Sequence, residues 1–523
     1  MNMSFLKNKL LITIFSLLFV CAITGFSNSI LVYAEENVGT ENMVLESKAN
    51  LEETGEVYSI TYILNGGENS ENNPVEYHLG DEIALEEAVR EGYRFTGWFN
   101  EENEQVQTLP TDNGGDIVLS AVWEYEYTLS FTANNLSTDY MTIDGEYETI
   151  KAIQGEEVVL PDVNFGGFVL SSEGQFYEQA SIFTVTDNRT FELVEKNREQ
   201  LYNENLECYE IWTYNHLNQI VRDYPQCNYI LMSNITQPEN TNWTPISTFE
   251  GVFYGENYWI NDLTIQYGLT EPMLEITETD FGLFKENFGS IYNLGISGAS
   301  FSFYNYNATY SDELYCGFVA ARNTGVIDGC EVLGTFFQFS CIYPQTKAVV
   351  GLICGYNSST VRNCEVFEAA AQLTTGFGGG IVGLNEGGTI AYCEIGLSSV
   401  SCYQGFENDG EDGYPSEHYA AIGGIVGFAK GGTITHCNVA SNVDIDYNGY
   451  PSNSRTLAPE LGIIAGRSYE STKYEDNEAN GETGAINGLY VIEWETGWWI
   501  FAKKYTWDQS KYVGGEVGHY VTP

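Results

Sequence analysis

Basic residues are scarce in this 523-residue chain, which has 21 Lys and Arg against 73 Asp and Glu and a formal net charge of −52. Nucleic acids and anionic lipids both require a basic surface, so this composition argues against either partner. The motifs C-x-x-C, H-E-x-x-H and G-x-S-x-G and the phosphate-binding P-loop are also missing. Their absence excludes the zinc, redox, hydrolase and nucleotide sites that these motifs build.

Long apolar runs are equally rare, and the one that approaches a membrane span lies near the start of the chain. Lys7 and Lys9 precede an apolar run from Leu10 to Phe26, and Val32-Tyr33-Ala34 fits a signal-peptidase site. This order predicts a secretory signal peptide and an extracellular or cell-surface protein with no membrane span after signal removal. The alternative is an uncleaved anchor, because the run is only slightly shorter than a membrane span.

Short strand patterns with glycine-rich turns fill the region that follows an acidic linker. Strand-like Ser59–Leu64 ends in Asn65-Gly66-Gly67, and the segment 92–99 reads G-Y-R-F-T-G-W-F. We expect Tyr93, Phe95 and Trp98 to supply a small core. The segment resembles the Listeria–Bacteroides repeat, also called the internalin-type B repeat, over about residues 58–124. That resemblance implies a β-grasp-like module of bacterial surface proteins without catalytic residues.

A degenerate second copy is predicted in residues 125–196. Its Gly155–Leu160 segment, G-E-E-V-V-L, parallels G-D-E-I-A-L at Gly80–Leu85, although the Gly-Trp pair of the first copy is missing. Beyond it, Thr213 is placed to cap a short helix in which Leu217, Ile220 and Val221 share one face.

A recurring signature predicts the fold of the larger part of the chain. It consists of an aliphatic residue, two variable residues, Leu or Cys, one variable residue, and Ile or Val. Because the last two fixed positions lie two apart, they face one side of a strand, and a bend would bring the first to the same interior. Glycine two residues before the first aliphatic is expected to supply the positive φ of a corner. The copies are Ile260/Leu263/Ile265, Ile291/Leu294/Ile296, Ile327/Cys330/Val332, Val361/Cys364/Val366, Ile390/Cys393/Ile395, Ile434/Cys437/Val439 and a seventh at Ile486/Leu489/Val491.

These repeats, with F-x-G-x-F-x-G at 249–255 and G-I-V-G segments, resemble the GLUG-motif repeat proteins of bacterial surfaces. The fold class predicted is all-β: small β-grasp-like modules followed by a helix-capped right-handed parallel β-solenoid. The predicted organisation is a signal peptide (1–34), an acidic flexible linker (35–56), the internalin-type B repeat (57–124), the degenerate module (125–196), a capping helix and first strand (197–248), the GLUG-type solenoid (249–492) and a C-terminal cap (493–523).

Cysteines and acids are the remaining candidates for chemistry. Cys330, Cys364, Cys393 and Cys437 share one motif position, so they are expected to stack as a reduced, buried ladder. The alternative is disulfide bonding, since neighbouring coils bring Cα atoms within bridging range. The five histidines are scattered, and His436 should face away from Cys437 because adjacent strand residues point to opposite faces.

Three acidic patterns suggest ligand binding. Asp444, Asp446 and Asn448 match the first half of a calcium loop, but Arg455 stands where a bidentate Glu is expected, so an ordinary solvated turn is the alternative. A second acidic cluster lies at 409–413. Glu331, Glu365 and Glu394 recur at motif position five and should face outward in register, as a solvated face, a cation site or a catalytic acid.

The function expected from these features is a secreted or cell-surface structural or adhesion protein without catalytic activity or a cofactor, apart from the calcium candidates. Its solenoid would contact a glycan or a host or matrix surface protein. The alternatives are a carbohydrate-active β-helix enzyme, a polysaccharide lyase or hydrolase, and an inert display spacer. A cleft with paired carboxylates would favour the enzyme.

Overall fold

The computed structural model describes residues 55–109, 113–137, 142–146, 149–267, 279–305, 313–341, 348–402, 406–407, 420–447, 456–457, 460–469, 471–479, 491–496, 503–508 and 517–521. The predicted signal peptide (1–34) and nearly all of the acidic linker lie outside these residues. The described chain is nearly all β, which confirms the predicted fold class. Its helices are Arg198–Leu201 and His216–Val221.

The first module is a mixed sheet around a parallel pair. Val57–Ile63 pairs in parallel with the start of the long strand Ile117–Ser137, and Tyr93–Phe99 pairs antiparallel with the same strand. The indole of Trp98 is buried and donates to the carbonyl of Glu86 at 2.8 Å. Tyr93 and Phe95 are only half-buried, so Trp98 supplies more of the core than its two predicted partners. The other strands are Glu76–His78, Ile83–Ala84, Gln105–Val106 and Thr108–Leu109.

The second module repeats this pairing strand for strand. The later part of Ile117–Ser137 pairs in parallel with Arg189–Glu195, whose other neighbour, Phe168–Ser172, is antiparallel to it. One continuous strand therefore serves both modules and crosses the expected boundary between residues 124 and 125. The remaining strands of the second module are Thr142–Glu146, Ile150–Ile153, Glu157–Val159, Gln175–Tyr177 and Ile182–Thr184.

The rest of the described chain is a parallel β-solenoid whose coils run through five sheets, named A to E in chain order. Each strand pairs in parallel with its equivalent in the next coil, so the chain stacks on itself along one axis.

The strands of sheets A and B form the first two sides of each coil. Sheet A contains Asp280–Phe281, Leu314–Cys316, Ala348–Gly351, Gly376–Gly379, Ala421–Gly423 and Glu460–Gly462. Sheet B contains Ile246–Phe249, Phe284–Asn287, Ala320–Asn323, Cys354–Asn357, Val382–Asn385, Val426–Ala429, Ala465–Tyr469 and Val517–Val521.

Sheets C, D and E complete the coil. Sheet C contains Tyr202–Asn203, which is antiparallel to its neighbour, then Cys208–Ile211, Tyr229–Leu231, Val252–Tyr254, Ser290–Tyr292, Val326–Asp328, Thr360–Arg362, Thr389–Ala391, Thr433–Thr435 and Lys473–Glu475. Sheet D contains Ile235–Thr236, Trp259–Asn261, Gly295–Ser297, Glu331–Leu333, Glu365–Phe367, Glu394–Gly396, Asn438–Val439 and Glu478–Ala479. Sheet E contains Thr264–Tyr267, Ser300–Asn305, Phe336–Cys341, Ala370–Leu373, Ser399–Cys402 and Asp444–Tyr447.

The repeated signature marks the corner between sheets C and D in five of the predicted copies, and their fixed residues are buried in one core. The first predicted copy is one corner out of phase, because Ile260 pairs with Ile296 and Ile265 with Phe301. At the corner between sheets D and E the buried residues are also spaced by three and then two positions. The signature alone therefore does not show which of the two corners a copy occupies.

The seventh predicted copy was also misplaced. Tyr474 pairs with Ile434 and Ala479 with Val439, so Tyr474 and Ala479 occupy the first and last fixed positions of the next copy. Val491 instead begins the strand Val491–Thr496, which pairs antiparallel with Lys503–Asp508.

Positive φ angles occur at this corner, but of the predicted glycines Gly289, Gly325, Gly388 and Gly432 only Gly432 has one, at 86°. The residue before each buried Leu or Cys has φ between 50° and 69°, as at Asn293, Gly329 and Asn363. Gly289 and Gly325 are needed for a different reason, since a Cβ on either would lie 2.0 Å from a backbone oxygen of the preceding coil. Only close packing, not a left-handed backbone, therefore requires those two glycines.

An asparagine ladder joins successive coils inside the corner between sheets B and C. The Nδ2 of Asn287 donates to Oδ1 of Asn323 at 2.8 Å, Asn323 donates to Asn357 at 2.9 Å, and Asn357 donates to Asn385 at 2.7 Å. All four side chains are fully buried. The bonds between rungs satisfy amide groups that would otherwise be costly inside an apolar core, whereas Oδ1 of Asn287, at the first rung, accepts no hydrogen bond among the described residues.

The second glycine of the G-I-V-G segments fits a tight angle between sheets A and B. A Cβ on Gly383 would lie 2.7 Å from the backbone nitrogen of Val350, and one on Gly427 would lie 2.8 Å from that of Gly378. Sheet A therefore packs directly against the outer side of the sheet B backbone.

The capping helix has the predicted position. The Thr213 hydroxyl accepts from the backbone nitrogen of His216 at 3.2 Å, and Leu217 and Val221 are buried against the first coils. The helical hydrogen bonding is of the wider π type in His216–Val221. Parallel pairing extends beyond the predicted 249–492 at both ends, to Cys208–Ile211 and Val517–Val521. None of the helices in the described part of the chain has the length and apolarity to cross a bilayer.

Candidate functional site

A row of carboxylates runs along the outer face of sheet D. Glu331 pairs in register with Glu365, and Glu365 pairs with Glu394. All three side chains are exposed, as expected for motif position five. Parallel strands lie about 4.8 Å apart, so the row places three like charges at nearly the shortest spacing that a sheet permits.

The carboxylate row is electrostatically unfavourable in its free state. The pKa of Glu365 is raised from its usual value, first by partial burial and then by the charges of Glu331 and Glu394 on either side. At its far end, Asn438 donates from Nδ2 to Oε1 of Glu394 at 3.1 Å. A cationic group placed over the middle of the row would relieve the repulsion.

Exposed apolar side chains share this face with the glutamates. Leu333 and Phe367 follow Glu331 and Glu365 by two residues, so they lie on the same side of the sheet. Phe367 is 46% exposed, and a Cβ on Gly396 in the next coil would lie 2.9 Å from its ring. The ring therefore lies flat along the sheet over a glycine.

Two aromatic rings extend the face at the corner between sheets C and D. Tyr392 is 57% exposed, and its ring stacks on that of His436 with centroids 4.7 Å apart. His436 also approaches Asp476, with 3.6 Å between Nε2 and Oδ2. We call the set Glu331, Leu333, Glu365, Phe367, Tyr392, Glu394 and His436 the glutamate face.

The backbone at this corner is unsuited to Tyr392. Tyr392 has a φ of 55° and His436 a φ of 53°, in the left-handed region that Gly, Asn, Asp and His adopt more readily than a bulky residue does. Other coils place Asn293, Gly329 or Asn363 at the equivalent position. Residues held in a costly conformation while displaying exposed side chains point to a functional surface.

The calcium candidates do not form a loop. Asp444 and Asp446 lie in the strand Asp444–Tyr447 of sheet E, where they pair with Ser399 and Ser401. Asn448 and the acidic cluster at 409–413 lie outside the described residues. Among the described residues, no group of three or more His, Cys, Asp or Glu side chains is arranged to hold a metal ion. Calcium binding stays a prediction.

The four motif cysteines stack inside the solenoid. Cys330, Cys364, Cys393 and Cys437 are at most 1% exposed and carry free thiols. Burial raises the pKa of Cys364 well above that of an ordinary thiol. His436 is exposed while Cys437 is buried, so the two point apart as expected and form no catalytic dyad.

Comparison with known proteins identifies one part of the chain. Residues 58–122 match the family model described as Listeria-Bacteroides repeat domain. No curated protein matches the chain. A solved structure titled IgA1 Protease matches this chain with 10% sequence identity and a TM-score of 0.32. The match covers 69% of this chain and 31% of the chain in that structure. This chain thus spans about a third of that structure, and so low a TM-score carries no argument.

The resemblance of the solenoid to GLUG-motif proteins stays a prediction, because none of these matches carries that motif. The match at residues 58–122 covers the segment that the G-Y-R-F-T-G-W-F pattern identified. Residues 58–122 are therefore a Listeria–Bacteroides repeat domain, a module typical of bacterial surface proteins.

Proposed function

We propose that this chain is an exported, non-catalytic adhesion protein of the cell surface and that its glutamate face binds a basic surface of a host or matrix protein. The observation that carries the proposal is the concentration of exposed Leu333, Phe367 and Tyr392 beside three aligned carboxylates. Apolar and aromatic anchors supply binding energy, and the charge row supplies orientation and selectivity for a cationic partner.

The shape of the face favours a protein partner over a polysaccharide substrate. A glycosidase places its two carboxyl groups on either side of the scissile bond, which requires a cleft. Glu331, Glu365 and Glu394 project in parallel from one sheet and are exposed. This arrangement supports contact with a second flat surface.

Binding of the full chain to immobilised fibronectin, laminin and collagen would test the proposal, with lysine-acetylated samples of each protein as controls for charge. We expect binding to at least one native sample, loss on acetylation, and a steep decrease between low and high salt. A glycan microarray and a reducing-sugar release assay on the same preparation test the glycan-binding and enzymatic alternatives.

A charge-matched pair of variants identifies the surface. Glu331→Gln, Glu365→Gln and Glu394→Gln together remove three charges from the face. The control removes three charges from exposed Glu101, Glu102 and Glu104 of the first module. We expect only the first variant to lose binding; equal loss in both, or binding to none of the proteins, would refute the proposal.

A further inference from the structure

A cleft of about 790 Å³ lies between the second module and the capped end of the solenoid. Its walls come from the strand that ends the second module, near Glu192, from the segment leading into the capping helix, and from residues 234–239. This volume is within the range of about 300–1,000 Å³ that small-molecule sites occupy, and such sites favour interfaces between units of a fold.

Trp212 lines the cleft, and its indole is fixed in place. A Cβ on Gly166 or Gly167 would lie 2.5 Å from Trp212 atoms, so the two glycines leave room for this residue. Its Nε1 donates to Oε2 of Glu210 at 3.0 Å, and its backbone carbonyl accepts from Ser233 Oγ at 2.6 Å. A preorganised, half-buried indole offers an apolar surface on which a sugar ring can stack.

Polar groups of the cleft are held in place by hydrogen bonds within the protein. Oε1 of Glu192 accepts from Asn134, and Oε2 of Glu195 accepts from Asn215 Nδ2 at 3.0 Å. In the part of the chain that the structure describes, the second oxygen of each carboxylate makes no hydrogen bond and can accept one from a ligand hydroxyl. Positioned acceptors beside an aromatic wall suit a ligand that carries many hydroxyl groups.

The charge of the lining limits the ligand further. Glu192, Glu195 and Glu239 line the cleft, and the described lining contains no Lys or Arg. An acidic saccharide would meet only like charges there.

We propose that this cleft binds a saccharide without acidic substituents, either neutral or amino-bearing, and that it does so independently of the glutamate face. The site goes beyond the proposed adhesion to protein, because it lies at the capped end of the solenoid and uses different residues.

Saturation-transfer NMR and titration calorimetry on the full chain would test the proposal. The probes are cellotetraose, chitotetraose and its de-acetylated form, with tetragalacturonate as the acidic comparison. We expect binding of at least one of the first three and none of tetragalacturonate. No transfer to any of the three, or a preference for tetragalacturonate, would overturn the proposal.

Variants then locate the site. Trp212→Ala should weaken binding about tenfold, whereas Tyr392→Ala on the glutamate face removes an exposed aromatic ring and should leave it unchanged. Because Trp212→Ala could disturb packing against Phe165, Glu239→Lys at an exposed position provides the second variant and should create affinity for tetragalacturonate. Unchanged selectivity in Glu239→Lys, or equal effects of both aromatic substitutions, would place the saccharide elsewhere. Retained binding of matrix proteins by Trp212→Ala distinguishes failure of this site from failure of the adhesion proposal.

Discussion

Tyr392 and His436 lie at the same corner of successive coils, and their rings stack with planes only 25° apart, although the left-handed backbone there is costly for a tyrosine. In the neighbouring coil, Asn363 holds the equivalent position with a φ of 52°. Asn suits this corner, whereas Tyr392 does not, and it presents an exposed aromatic ring beside the glutamate row.

Replacing Tyr392 with Asn should therefore stabilise the protein and weaken its adhesion. Asn tolerates this backbone better, so we expect the free energy of unfolding to rise by about 0.5–1 kcal/mol, measured by urea denaturation. The reciprocal change, Asn363→Tyr, should lower it by a similar amount. If Tyr392→Asn destabilises the solenoid, the ring contributes to packing, and the case for a functional surface is lost.

Two glycine substitutions separate close packing from backbone conformation. Gly427→Ala would place a Cβ 2.8 Å from the backbone nitrogen of Gly378 in sheet A, which belongs to a strand that cannot move without its neighbours. We expect it to destabilise the solenoid by about 3 kcal/mol. Gly387→Ala has open space around it and a φ of 76°, so its effect should be about 1 kcal/mol. Equal urea midpoints for the two variants would contradict the packing of sheet A on sheet B.

Acid should weaken the capped end of the solenoid through His216. Its imidazole is 2% exposed, Nδ1 accepts from the backbone nitrogen of Trp212 at 3.3 Å, and burial lowers its pKa to about 4. Since an unfolded histidine titrates near 6.5, the unfolded state binds the proton more tightly. The stabilisation is complete above pH 6.5 and is lost as the pH falls towards 4, by at most about 3 kcal/mol.

Carboxylates titrate in the same range, so the measurement compares unfolding of His216→Gln with that of the parent chain between pH 7 and pH 4. The stability of His216→Gln should depend less on pH. His78→Gln, at an exposed residue of the first module, is the control for exchanging a histidine for glutamine away from the cap. Parallel pH profiles for all three proteins would show that His216 does not titrate on unfolding.

The sequence was sufficient to predict the repeat, because the fixed residues of the signature all face one interior. Their spacing of three and then two positions indicates the bend between the two strands. It was also sufficient to align Glu331, Glu365 and Glu394, since strand alternation places motif position five outward. It could not identify Tyr392 and His436 as neighbours. The pattern indicated a left-handed backbone at the glycines before each sheet C strand, whereas Tyr392 and His436 follow that strand. The ladder of Asn287, Asn323, Asn357 and Asn385 was missed for a related reason: asparagine ordinarily indicates a turn or surface, and only the corner geometry buries it.

The junction cleft was beyond sequence reasoning altogether. Glu192 and Trp212 come from a module and a cap with separate sequence patterns, and residues 234–239 precede the first predicted repeat. No periodicity links these segments, because their proximity depends on how one module packs against the solenoid.

The cysteine ladder gives a chemical test of the stacking itself. Cys330, Cys364, Cys393 and Cys437 occupy one column, and the backbone nitrogens of Glu365 and Glu394 donate to the carbonyls of Cys330 and Cys364 at 2.9 Å. Burial and the raised thiol pKa at Cys364 both suppress reaction with iodoacetamide, which requires an accessible thiolate.

We therefore expect these four cysteines to resist alkylation in the native chain and to become fully alkylated in guanidinium without any reductant, as read by peptide mass spectrometry. Half-buried Cys227 is the internal control and should react first in the native state. Adjacent rungs are close enough for a disulfide, so ladder cysteines that stay unmodified after denaturation would show that the thiols are paired. Rapid native alkylation at Cys364 would be more damaging, because a thiol open to solvent there is incompatible with coils stacked around a dry interior.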